Sequence, residues 1–107
     1  MVEKSVIASV KNYLKELEKI GSPAQFGVLF GSFAQNAQDQ WSDIDLMVIS
    51  PVYDEEYGRE EVNILWRAAA RVDSRIEPVP IGSKRWMTDD ESPIIEAARR
   101  QGVRIDP

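Results

Sequence analysis

Apolar residues at the start of the chain recur at three- and four-residue steps: Val6, Ile7, Val10, Leu14, Leu17 and Ile20, with Lys and Glu between them. This spacing gathers them on one stripe and predicts an amphipathic helix over 3–20, stopped by Gly21 and Ser22-Pro23. The short apolar run over 25–30 reads as a buried strand that ends in Gly31. Residues 32–37 are expected to form a short helical turn, followed by a polar loop through Asp39, Gln40 and Trp41. The run over 44–49 is the clearest strand, and Ser50-Pro51 ends it. Asp54, Glu55 and Glu56 then put negative charge where a helix N-terminus favours it. Behind them Val62, Leu65, Trp66, Ala69 and Val72 form one core-facing helical stripe, with Gly58 weakening the start.

Residues 75–81 read as a third strand with a peculiarity. Pro78 and Pro80 are two apart, so both missing N–H groups fall on the same side. That side cannot support a ladder, and the strand is expected at an edge of its sheet. A last helix is expected over 89–101, with Pro93 near its first turn and Ile94, Ile95 and Ala98 facing inward. Gly102 is placed to end it, and 103–105 can add a short final strand. The chain shows no internal repeat, linker or low-complexity segment. The expectation is α/β (α+β): one domain over 1–107 with a small mixed sheet of three to four strands, flanked by helices in the order α-β-α-β-α-β-α.

Composition narrows the chemistry more than the fold. The chain has 107 residues, of which 43% are hydrophobic and 29% charged, enough for one modest core. Its apolar runs fall far short of the ~20 residues that span a bilayer. The start, Met1-Val2-Glu3-Lys4, lacks the basic and apolar pattern of a signal peptide, so a cytoplasmic location is expected. With no His and no Cys, a Ser-His-Asp triad, a thiol nucleophile and a His/Cys zinc site are excluded. Any metal must be hard and oxygen-bound. A net charge of −5 argues against general nucleic-acid binding. There is no Gly-Lys-Ser/Thr for a P-loop and no Gly-x-Gly-x-x-Gly for a dinucleotide fold.

Three features remain that carry chemistry together. Gly31-Ser32 closes the first strand, Asp43-Ile44-Asp45 opens the second after ten intervening residues, and Glu77 sits inside the third. Side chains alternate across a strand, so Asp43 and Asp45 point to one face. Two neighbouring carboxylates repel each other unless a cation sits between them. Mg²⁺ suits such a pair, since it is commonly held by one or two carboxylates plus substrate phosphates. Glycine at 31 lets backbone approach a phosphate closely. Ser32 starts the following turn, where its hydroxyl and nearby N–H groups can meet phosphate oxygens. Each feature alone has a plainer reading: a solvated strand start, a turn, an exposed edge-strand glutamate. The conjunction is what points to a site.

The segment FGSFAQNAQDQWSDIDLMVIS resembles the signature of the minimal nucleotidyltransferases of the DNA polymerase beta-like superfamily: Gly-Ser, about ten residues, Asp-x-Asp, then a later carboxylate on a strand. The likeness covers about 25–81, and the closing SPIIEAARRQGVRI is similar to how such domains end. It implies a nucleotidyltransferase-like fold and Mg²⁺-dependent transfer of a nucleotidyl group, AMP from ATP by family habit, to a hydroxyl acceptor. Asp43 and Asp45 would hold two Mg²⁺ ions, Glu77 would complete the acceptor-side one, and Gly31 and Ser32 would hold the departing phosphates.

The chain departs from the family pattern in two places. Many relatives carry Arg and Gly soon after Gly-Ser, where this chain has Phe33, Gln35 and Asn36; and the third carboxylate, often Asp, is Glu77 here. Single-domain members are often encoded beside a helical protein of the HEPN type, and the resemblance implies an antitoxin that binds and adenylylates such a partner. A free-standing enzyme acting on a small molecule of the aminoglycoside kind, a catalytically inactive interaction module and a homo-oligomer stay open. Lys84-Arg85-Trp86 reads as a solvated loop with a packing Trp, and Arg99 and Arg100 as charges that suit a helix C-terminus.

Overall fold

The first apolar stripe forms the helix α1 (Lys4–Lys19), which turns its buried Val6, Val10, Tyr13, Leu14 and Leu17 toward the sheet. The computed structural model describes residues 3–31 and 43–107. Gly21, at a φ of 83°, lets the chain reverse after α1 into the strand β1 (Phe26–Phe30). The strand β2 (Ile44–Ser50) follows and is buried along almost its whole length, which is why its sequence is apolar from Leu46 to Ile49. A 3-10 turn (Pro51–Asp54) leads to the helix α2 (Arg59–Val72) and the strand β3 (Ile76–Gly82). Two short helices, α3 (Ser83–Thr88) and α4 (Pro93–Gln101), precede the strand β4 (Val103–Ile105).

The sheet order is β3-β2-β1-β4. β1 runs antiparallel to both β2 and β4, while β2 and β3 are parallel, joined by the α2 crossover. A mixed four-stranded sheet is the architecture expected. β3 lies at an edge and pairs only with β2, so the outward sides of Pro78 and Pro80 meet no ladder.

Alternation along the strands divides the core in two. Leu29, Ile44, Leu46, Val48 and Ile76 point to one face and pack with α1 and with Leu65, Ala68 and Ala69 of α2. Phe26, Val28, Met47, Ile49 and Ile81 point to the other, against Ile95 and Ala98 of α4 and Trp86 of α3. Tyr13 is buried deeply enough that desolvation pushes its hydroxyl pKa well up, and it donates a hydrogen bond to the Leu65 carbonyl at 3.0 Å. This bond ties α1 to α2. Leu14 has no exposed surface in this layer. Leu14→Ala is expected to cost about 2–5 kcal/mol, from lost transfer energy plus the cavity left behind. Denaturant unfolding measures it, and a cost below ~1 kcal/mol would contradict the packing described.

Several sequence expectations need correction. Asp54, Glu55 and Glu56 precede α2 instead of entering its first turn. The helix starts behind Gly58, whose N–H donates to the Glu61 carboxylate at 2.9 Å, and Glu60 and Glu61 supply the negative charge. Trp66 is 46% exposed, because Ala68 and Ala69 take the inward positions beside Leu65. Ile94 is 61% exposed, since α4 is one short helix that buries only Ile95 and Ala98. The helix expected over 89–101 starts at Pro93, where Ser92 accepts from the Ile95 N–H at 3.4 Å. Lys84, Arg85 and Trp86 lie on α3 rather than a loop; Trp86 does pack, edge-on to Phe26 with centroids 6.1 Å apart. The turn expected over 32–37 lies outside the described residues. Among the described residues no helix is long and apolar enough to cross a membrane.

Candidate functional site

Asp45 is the one charged residue in the otherwise buried β2. It sits one step into the strand, on the face that carries Met47 and Ile49 toward α3 and α4, and is half-buried there. Pairing fixes its neighbours. Across the antiparallel ladder it faces Phe30 of β1, and across the parallel ladder it faces Glu77 of β3. Residues in register share a face, so the Asp45 and Glu77 carboxyl groups are brought together by tertiary structure and not by nearness in sequence. Asp43 lies just before β2, exposed, and its register is held by the Ile44 N–H, which donates to the Arg75 carbonyl at 2.7 Å.

The electrostatics record this crowding. Partial burial pushes the Asp45 carboxyl above the usual range and the Asp43 charge adds to the rise, while a hydrogen bond with Glu77 acts the other way. Glu77 is likewise raised, by desolvation first, then by the charges of Asp43 and Asp45 and by its hydrogen bonds with them. Each acid discourages its neighbours from ionising. The donor set is carboxylate oxygen throughout, which suits a hard cation such as Mg²⁺. Among the described residues no group of three acidic side chains, Asp43, Asp45 and Glu77 included, stands in metal-holding geometry.

Gly31 closes the site on the β1 side. Its φ is 73°, in the left-handed region, and a Cβ built on it would stand 2.5 Å from Oδ2 of Asp45. Two independent constraints therefore require glycine: backbone handedness and the space beside a carboxylate. Gly31→Ala is expected to cost about 1–2 kcal/mol from the backbone alone and to displace the Asp45 carboxylate. A melting curve indistinguishable from the parent's would contradict this geometry.

Of the five residues singled out by sequence, four are described, and all four meet at one end of the central strands. Ser32 lies outside the described residues. Lys84, Arg85 and Trp86 do not join them. They follow the far end of β3, beyond Gly82, which pairs with Ser50, and five residues of strand separate Ser50 from Asp45 by roughly 16 Å. Sequence reasoning missed a cleft beside Gly31, of about 210 Å³, lined by Phe30, Ile94, Ala97 and Gln101 among others. A signal for it was present in the small residues Ala97, Ala98 and Gly102. A Cβ on Gly102 would lie 2.7 Å from Cγ1 of Val28, so α4 ends tightly against β1.

The mixed four-stranded sheet thus carries helices on both faces, with acidic residues at the start of its second strand. A family model described as the nucleotidyltransferase domain matches residues 7–99, and the chain belongs to that family. Two solved structures share its fold. One is a candidate nucleotidyltransferase from Sulfolobus solfataricus, with TM-score 0.58 and 14% identity over 94% of this chain and 78% of that one. The other is a toxin-antitoxin structure with AMP-PNP, with TM-score 0.59 and 23% identity over 88% of this chain and 69% of that one. No curated protein matches the chain.

Proposed function

We propose that the chain is a cytoplasmic, Mg²⁺-dependent nucleotidyltransferase that transfers AMP from ATP to a hydroxyl group on a helical protein partner. The observation that carries this reading is the meeting of Asp43, Asp45 and Glu77 from two neighbouring strands beside a left-handed glycine. Asp43 and Asp45 would hold Mg²⁺ together with the triphosphate, and Glu77 would face the acceptor and help hold a second ion. The metal supplies charge neutralisation on the phosphate oxygens and the leaving group. Gly31 and Ser32 would bind the departing pyrophosphate.

In the reaction the acceptor oxygen attacks the α-phosphorus and forms the new P–O bond. The bond from that phosphorus to the bridging oxygen breaks in line, and pyrophosphate leaves with the electron pair. Glu77 takes the hydroxyl proton.

The partner is proposed to be a HEPN-type toxin encoded beside this chain, which would make the chain an antitoxin. The toxin-antitoxin structure of similar fold, solved with AMP-PNP, supports both the nucleotide and the protein partner. The test is incubation with ATP labelled at the α-phosphate, Mg²⁺ and the product of the neighbouring gene. Label on that protein, released as AMP by alkaline or phosphodiesterase treatment, is the expected result. Nucleotide binding without transfer to any tested protein would instead favour an inactive module of the same fold.

A further inference from the structure

Cavities open to solvent lie in at least three places among the described residues. One lies between the end of α1 and α2, lined by Ile20, Arg67 and Arg71, on the sheet face away from the carboxylates. A second, beside Trp86, Met87 and Arg104, is at the far end of the strands. The third touches the acidic site itself. It lies between the end of β1 and α4 and shares Gly31 with the wall that crowds Asp45.

We infer that this third cleft holds the nucleobase of the bound nucleoside triphosphate; the inference rests on the nucleotidyltransferase reading above. Phe30, on its wall, stands directly opposite Asp45 in the antiparallel ladder. Cross-strand neighbours have Cβ atoms about 5 Å apart, so the cleft begins one such step from the carboxylates, a separation a ribose can bridge. Among the described residues the side chains lining it are uncharged, which suits a ring better than a triphosphate. Phe30 offers an aromatic ring that is only partly buried, and Ile94 and Ala97 offer hydrocarbon from the α4 side. Size agrees. The cleft holds about 210 Å³, below the ~300–1,000 Å³ typical for a whole drug-sized ligand and suited to one planar ring system. The inference also gives a use to Ile94, a large apolar side chain that α4 leaves 61% exposed.

The test compares two probes in Mg²⁺: α,β-methylene ATP, which cannot transfer its nucleotidyl group, and inorganic tripolyphosphate, which has no base. Wild type is expected to bind the ATP analogue about ten- to a hundredfold more tightly, the range that base stacking supplies. Ala97→Trp fills the cleft and Ile94→Asn makes its wall polar. Both positions are exposed, so both variants should fold, which melting curves check. Each variant should lower the affinity for the analogue toward that for tripolyphosphate and leave tripolyphosphate binding unchanged. The cleft assignment is overturned if the analogue keeps its advantage in both folded variants, or if wild type binds the two probes alike. Binding of neither probe by wild type overturns the nucleotide reading itself, and the cleft assignment with it.

Discussion

Asp43→Asn combined with Asp45→Asn is expected to abolish the stabilisation that Mg²⁺ and ATP together give the folded chain. Two carboxylates at the start of β2 share a face, and Asp45 is already held above its usual pKa by burial and by the Asp43 charge. A divalent cation relieves that repulsion and brings the triphosphate with it. Ligand at ~100 times its dissociation constant adds about 2.7 kcal/mol to wild-type stability, a shift that a melting curve resolves easily. The asparagines keep size and lose charge, so the metal-free variant should melt no lower than the metal-free parent. An unchanged ATP-induced shift in the double variant would remove the metal site from the account.

Glu77 is expected to separate binding from chemistry. It comes from β3, across the parallel ladder from Asp45, so it flanks Asp45 on the side opposite Gly31. Glu77→Gln removes the charge while keeping the length. ATP affinity should change little, because the two aspartates remain. Transfer should fall by roughly 10²–10⁴-fold, the usual worth of a positioned general base, and further where an ion is lost from a two-metal clamp. Glu77→Asp shortens the side chain by one methylene and pulls the carboxyl back toward the edge strand. If the longer residue is matched to this sheet, Asp should be slower than Glu. Transfer by Glu77→Gln at the wild-type rate would leave Glu77 as an edge-strand residue with no part in the reaction.

The elements legible in the sequence are those whose signals are local. β2 could be read because a strand covered on both faces is apolar at nearly every position. The edge position of β3 could be read because Pro78 and Pro80 each lack the donor a second ladder would need. α3 was not legible. It is six residues long, and its first turn is held from outside by Asp54, whose carboxylate accepts from the Lys84 N–H at 3.0 Å. From the sequence Asp54 reads as charge for α2, whereas it holds the start of α3. Trp66 and Ile94 were placed inside because each adjoins a buried residue on its helix, Leu65 and Ile95. A stripe read from sequence is wider than the strip a small sheet can cover. The candidate site divides in the same way. Asp43 and Asp45 belong together by strand alternation alone, whereas the meeting of Asp45 with Glu77 depends on the register of two strands joined by α2. Of Gly31, the motif gave the residue. The closeness to Asp45 that forbids a Cβ there came only with the fold.

Mn²⁺ tests the central claim most directly, because it replaces Mg²⁺ at oxygen sites and broadens the amide NMR signals of residues near it. A ¹⁵N spectrum of the chain is recorded with α,β-methylene ATP while substoichiometric Mn²⁺ is added. Broadening is predicted to centre on Gly31, on Asp43 through Leu46, and on Ile76 and Glu77, the residues that surround the carboxylates on three neighbouring stretches of chain. It should vanish in the Asp43→Asn, Asp45→Asn double variant. Broadening that spares these amides and gathers elsewhere, or that survives in the double variant, would contradict the assignment of this cluster as the metal–nucleotide site.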